Sequence, residues 1–129
     1  METKLKILFL CTGNACRSQM AEAWGRELRA DRIEVYSAGT QPKSIDPIAI
    51  TAMAEVGVDI TRYKPKHVDD LPEELEFDFV ITLCGDADER CPSFSSETHV
   101  IHIPFDDPPK EAEHAVDAES KLSPYRRVR

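Results

Sequence analysis

The stretch KILFLCTGNACRSQ, residues 6–19, limits what this chain can fold into more than any other. The apolar run from Ile7 to Leu10 reads as a strand buried on both faces, and such strands belong to parallel sheets covered by helices. Gly13 and Asn14 then break the run with a turn. From Ser18 a helical pattern begins, with Met20, Ala21, Trp24 and Leu28 on one predicted face. A strand, tight turn and helix in that order set the turn at the carboxyl edge of an α/β sheet, where such sheets bind their ligands.

The rest of the chain supplies the remaining units. RIEVYSAG (32–39) is a second predicted strand, closed by Gly39. In DPIAITAMAEVG (46–57), Asp46 is the expected N-cap, Pro47 the first helical residue and Gly57 the stop. TRYKPKHVDDLPEEL (61–75) reads as a polar connection with a short helix near Val68 to Leu71, while FDFVITLC (77–84) and THVIHIPF (98–105) are the third and fourth strands. Strands alternating with helices predict an α/β fold: one three-layer domain over residues 1–129, its four-stranded parallel sheet flanked by helices. DDPPKEAEHAVDAES (106–120) looks loop-like or weakly helical, and YRRVR (125–129) reads as the first turn or two of a helix.

Charge narrows the function classes. With a formal net charge of −8 over 129 residues, nothing basic is dense enough to displace counterions from nucleic acid. A small anion remains acceptable, because a local nest of amides with one arginine overcomes a distant negative field. The longest apolar stretch, ILFLC (7–11), is too short to span a bilayer or form a signal-peptide core, so a cytoplasmic location is expected. In that reducing compartment the four cysteines, Cys11, Cys16, Cys84 and Cys91, are expected to be free, catalytic or redox-active.

CTGNACRS (11–18) carries the chemistry. Amides from Thr12, Gly13, Asn14, Ala15, Cys16 and Arg17 can converge at the helix N-terminus as an oxyanion cradle, to which Arg17 adds a planar fork of donors. The same positive field favours the thiolate of Cys11, and Ser18 is positioned to donate to it. The implied chemistry is attack by sulfur on a tetrahedral oxyanion. Cys84 and Arg90 repeat the C-x5-R spacing, but that copy encloses Asp86, Asp88 and Glu89, which would repel an anion. A group leaving the oxyanion needs a proton, and PFDDPP (104–109) offers Asp106 and Asp107 beyond the fourth strand. Asp107, next to Pro108, is the favoured acid, although the local sequence reads equally well as a turn. His67, His99, His102 and His114 show no paired ligand spacing and the cysteines form no CxxC, so no metal site is expected. Cys16 is expected to matter through its amide and not its thiol.

These segments together resemble the low-molecular-weight tyrosine phosphatase superfamily, and within it the thioredoxin-coupled arsenate reductases. ILFLCTGNACRSQMAEAW, VYSAG and FDDPP resemble the shared framework with its phosphatase-type P-loop after the first strand, and ITLCGDADERCP resembles the reductase branch. The resemblance implies Cys11 as nucleophile, Arg17 and the loop amides as oxyanion binders, Ser18 as tuner of the thiolate, Asp107 as acid, and Cys84 and Cys91 as redox cysteines. It implies arsenate as substrate, phosphate or sulfate as competitors, thioredoxin as reductant, no cofactor and a monomer. Asn14, Glu22 and Ser37 match a monovalent-cation site of some relatives, but Lys64 and Lys66 stand where its other ligands are expected, so an ammonium group is expected to replace the metal. Arg129 falls where the family's C-terminal helix is still under way.

The three thiols suggest a relay, from Cys11 to a Cys11–Cys84 disulfide and then to Cys84–Cys91. Were residues 84–91 helical, their ends would lie about 10.5 Å apart, beyond the roughly 7 Å that a disulfide tolerates. Any helix there must therefore unwind on oxidation. A tyrosine phosphatase of the same fold is the alternative reading, and an oxyanion-binding or redox-sensing module without turnover is the third.

Overall fold

The computed structural model describes residues 4–11, 13–14, 16–40, 42–72, 75–83, 98–103, 108–113 and 115–129. Along the chain these form β1 (Leu5–Cys11), α1 (Arg17–Arg29), β2 (Ile33–Gly39), α2 (Pro47–Ala54), a 3-10 turn (Val68–Asp70), β3 (Phe79–Thr82), β4 (His99–His102), α3 (Pro108–Glu111) and α4 (Ala118–Val128). The four strands make a sheet in the order β2-β1-β3-β4, with every pair parallel. The α/β class and parallel sheet expected from the sequence are present. Because β1 lies between β2 and β3, the direction of winding reverses beside it, and the carboxyl end of β1 opens at that switch point.

Register explains the core. Leu8 pairs with Val80 and Leu10 with Ala38, so these four share a face, and all four are fully buried. Val68, Phe77 and Leu83 pack with them. A second cluster joins the helices: Met20 and Ala23 of α1, Ala49, Ala52 and Met53 of α2, and Tyr125 of α4. β4 is the outer strand, with Val100 49% and Ile101 40% exposed. Strands β3 and β4 are each shorter than the apolar runs that announced them.

The helix signals in 46–57 hold residue by residue. Asp46 Oδ1 accepts from Ile48 N at 2.9 Å and Pro47 opens α2. Gly57 takes φ 81°, while Val58 N donates to Met53 O at 3.0 Å and Gly57 N to Ala54 O at 3.0 Å. These two bonds satisfy carbonyls of the last turn around a left-handed residue.

Two expectations require correction. The face of α1 turned inward carries Ser18, Gln19, Met20, Glu22 and Ala23, whereas Leu28 is 66% exposed. The apolar stripe led the reading astray because α1 buries polar side chains next to the anion loop. The second correction concerns the C-terminus, where α4 begins at Ala118 and runs through Pro124 instead of starting at Tyr125. A mid-helix proline loses one hydrogen bond and crowds the preceding turn, at about 3 kcal/mol. Opposing that are the Asp117 cap on Ser120 N at 2.7 Å, burial of Tyr125 to 1% exposure and the ion pairs of Arg126 and Arg127. No helix among the described residues is long and apolar enough to cross a membrane.

Candidate active site

Cys11 is the last residue of β1 and is 3% exposed. Its register partner Gly39 ends β2, and Thr40 N donates back to Cys11 O at 3.2 Å. Between Cys11 and α1 the chain must reverse tightly, and the unusual backbone angle falls on Asn14 with φ 49°. Asparagine tolerates this left-handed region better than most residues.

Asn14, fully buried, is held from three directions. Its Nδ2 donates to Ser18 Oγ at 2.8 Å, its Oδ1 accepts from Lys66 N at 2.9 Å, and its carbonyl accepts from Gln19 Nε2 at 2.9 Å. Gly13 O accepts from Lys43 N at 2.9 Å. The carbonyls of Gly13 and Asn14 and the Asn14 side chain are thus each engaged by groups of the surrounding fold. Since Ser18 Oγ accepts from Asn14, its own proton is left for another acceptor.

The start of α1 completes this geometry. Cys16, 5% exposed, is the N-cap residue but makes no side-chain cap, and the first turn holds no acid. A helix of thirteen residues therefore presents its first amides and the positive end of its dipole where an anion can take them. Arg17 stands at that end, half-buried, and with Met20, Ala21, Trp24, Leu83, Val128 and Arg129 it lines a cavity of about 170 Å³. Leu83 directly precedes Cys84 in sequence.

Behind the loop, Ser37 Oγ donates to Glu22 Oε1 at 2.8 Å, while Arg26 lies 3.4 Å from Glu22 Oε2. Burial pushes the Lys66 ammonium below its usual pKa, with the Glu22 charge opposing and Arg26 reinforcing that shift. Lys66 Nζ reaches Lys64 O at 3.5 Å. The three residues matching a cation site are therefore close together, but their oxygens already hold protein donors: Lys66 N on Asn14 Oδ1, Ser37 on one carboxylate oxygen and Arg26 by the other.

The histidines have local roles. His67 Nδ1 accepts from Asp69 N at 3.0 Å and caps the 3-10 turn, His99 stacks on Phe79, and His102 Nδ1 is 2.7 Å from Thr82 Oγ1. No cluster of metal-ligating side chains occurs among the described residues.

Of the residues singled out in the sequence, Cys11, Gly13, Asn14, Cys16, Arg17 and Ser18 are brought together here. Thr12, Ala15, Cys84, Cys91, Asp106, Asp107 and His114 lie outside the described residues. Sequence reading missed the supports: Gln19 under Asn14, the backbone of Lys43 under Gly13, and that of Lys66, 52 positions from Asn14. No local pattern marks such contacts, because only the folded topology creates them.

A strand ending in a buried cysteine, followed by a scaffolded turn and an uncapped helix N-terminus, defines a thiol-bearing anion-loop protein of the α/β class. The chain belongs to the low molecular weight phosphotyrosine protein phosphatase family, whose model matches residues 6–119. An arsenate reductase of Bacillus cereus (strain Q1) is 49% identical to it over 108 residues, covering 84% of this chain and 80% of that protein. Among solved structures, an arsenate reductase in the phosphate binding state matches with a TM-score of 0.72 at 28% identity, over 96% of this chain and 90% of that one. A thioredoxin-dependent arsenate reductase of Corynebacterium glutamicum gives 0.66 at 27% identity, over 98% of this chain and 59% of that one.

Proposed function

We propose that this protein reduces arsenate to arsenite, using Cys11 as nucleophile and Cys84 and Cys91 as a disulfide relay. The observation carrying the anion-binding part is the start of α1: a helix with no side-chain cap and no acid in its first turn, two residues of which are Arg17 and Ser18, next to a buried strand-end cysteine. The names of the similar proteins supply the choice of arsenate.

In the first step the Cys11 thiolate bonds to arsenic and a hydroxyl leaves as water, taking its proton from Asp107. The loop amides and Arg17 hold the remaining oxygens throughout. The Cys84 thiolate then attacks the Cys11 sulfur. The sulfur–arsenic pair collapses onto arsenic, which departs as arsenite two electrons richer, leaving a Cys11–Cys84 disulfide. Cys91 attacks Cys84, frees Cys11 as thiolate and moves the bond to Cys84–Cys91. A thioredoxin dithiol supplies the two electrons that reopen it. An acidic cytoplasmic monomer suits this assignment, and phosphate and sulfate compete for the loop.

The cradle distinguishes phosphate from arsenate neither by charge nor by shape, and the family description favours a second activity: slow aryl-phosphate hydrolysis in which water replaces Cys84. The Lys66 ammonium stands in for a monovalent cation, so catalysis needs no potassium.

The test combines arsenate, thioredoxin, thioredoxin reductase and NADPH. Wild type is expected to consume NADPH on arsenate addition. Cys84→Ser is expected to abolish steady turnover while retaining aryl-phosphate cleavage; undiminished arsenate turnover by that variant would sink the relay.

A further inference from the structure

We propose that Tyr125, on the last helix, is a positioning residue for the oxyanion loop. The proposal rests on the reading of residues 11–18 as an anion cradle. The connection runs through the hydrogen bonds of the segment between β2 and α2. At one end of that segment Thr40 N donates to Cys11 O at 3.2 Å, and in its middle Lys43 N donates to Gly13 O at 2.9 Å. At the other end Asp46 spends one carboxylate oxygen on Ile48 N at 2.9 Å and accepts the Tyr125 hydroxyl on the other at 2.5 Å. Tyr125 is 1% exposed, its ring fixed in the helix cluster, so the hydroxyl has a set direction.

Asp46 is therefore the anchor of a short strap that clamps Gly13 and Cys11. With both oxygens occupied it has one orientation. Without Tyr125 the second oxygen loses its donor and the carboxylate is free to rotate, which loosens the strap and spreads the amides that should converge on an anion. Binding by converging donors is sensitive to displacements of this kind.

A purely structural role is separable, because α4 meets α2 through a second, independent contact. Arg126 Nη2 and Arg129 Nη1 reach the Glu55 carboxylate at 2.6 Å and 2.7 Å, and Glu55 touches neither the strap nor the loop in any of these bonds. Glu55→Gln thus weakens the helix pair and spares Asp46.

The experiment is titration of the reduced full chain with inorganic phosphate by calorimetry, alongside arsenate kinetics and thermal melting. Tyr125→Phe keeps the ring and removes the donor. It is expected to raise the phosphate Kd and the arsenate KM by about fivefold, the weight of one ordinary hydrogen bond, with kcat unchanged. Asp46→Ser keeps an N-cap oxygen for the start of α2 but is too short to reach the Tyr125 hydroxyl, and is expected to give the same loss. Glu55→Gln is expected to lower the melting temperature and leave the phosphate Kd where it was. Unchanged phosphate affinity in Tyr125→Phe and Asp46→Ser overturns the proposal, as does an equal loss in Glu55→Gln. Phosphate binding without arsenate turnover in wild type refutes the reductase reading alone, whereas no phosphate binding by wild type removes the cradle and this inference together.

Discussion

Asn14 shows how much a single residue of the loop has to do. It supplies the left-handed backbone turn and three hydrogen bonds from a fully buried position. Asn14→Ala keeps the carbonyl contact to Gln19 but deletes the other two bonds and strains the turn. It is expected to destabilise the protein by about 2–4 kcal/mol, read from urea denaturation, and to weaken phosphate binding. Lys66 gives a second expectation at this scale. Its backbone N–H, which meets Asn14, survives in Lys66→Met, while the ammonium facing Glu22 does not. Phosphate affinity of that variant should rise with KCl more than with NaCl, whereas wild type should respond equally to the two salts. The cysteine, arginine and serine of the loop were legible because they are contiguous in sequence and their chemistry needs that spacing. The residues that hold the loop were not, since Gln19 is an ordinary helical residue until Asn14 O is placed above it, and Lys66 comes near only when the chain returns past β2.

Helix starts and stops were well announced where caps and glycines mark them, as Asp46, Pro47 and Gly57 do for α2. They were poorly announced where tertiary contacts overrule a local breaker, as in α4 across Pro124. Close helix–sheet approach is another property that emerges only between elements. A Cβ on Gly25 of α1 would lie 2.9 Å from Val35 Cγ2 and 3.3 Å from its Cγ1 in β2. Alanine ordinarily improves a helix over glycine by about 1 kcal/mol, but Gly25→Ala is expected to destabilise this one by about 1–2 kcal/mol, measured as a lowered denaturation midpoint. The α2–α4 contact has its own pH signature. The Arg126 fork, helped by Arg129, holds the Glu55 carboxyl at about 2 against an ordinary 4.5. Because the folded value is depressed, the stabilisation is complete above about 4.5 and fades as pH falls towards about 2. Wild type should therefore lose stability across that window more steeply than Glu55→Gln, as acid titration of the melting temperature would reveal.

For the whole molecule, strand and helix alternation was enough to read a parallel sheet, and the strand order adds what alternation alone does not: β1 sits at the switch point. In sequence Cys84 comes two residues after the end of β3 and Asp107 five after the end of β4, and both strands run parallel to the one that ends at Cys11. The relay predicts that one turnover without external reductant leaves a Cys84–Cys91 disulfide and reduced Cys11, resolvable by mass mapping of the alkylated peptides. In Cys91→Ser the map should instead trap Cys11–Cys84. The chain also contains its own reporter for these events. Trp24 is the single tryptophan, and it shares the walls of the cavity with Arg17 and Leu83. Its indole nitrogen is buried and meets no acceptor among the described residues. All tryptophan emission therefore arises from one ring, set between the anion loop and the strand end that leads to Cys84. Oxyanion arrival and disulfide transfer should each register as a change in the protein's intrinsic fluorescence, letting the individual steps be timed in a stopped-flow instrument with no label attached.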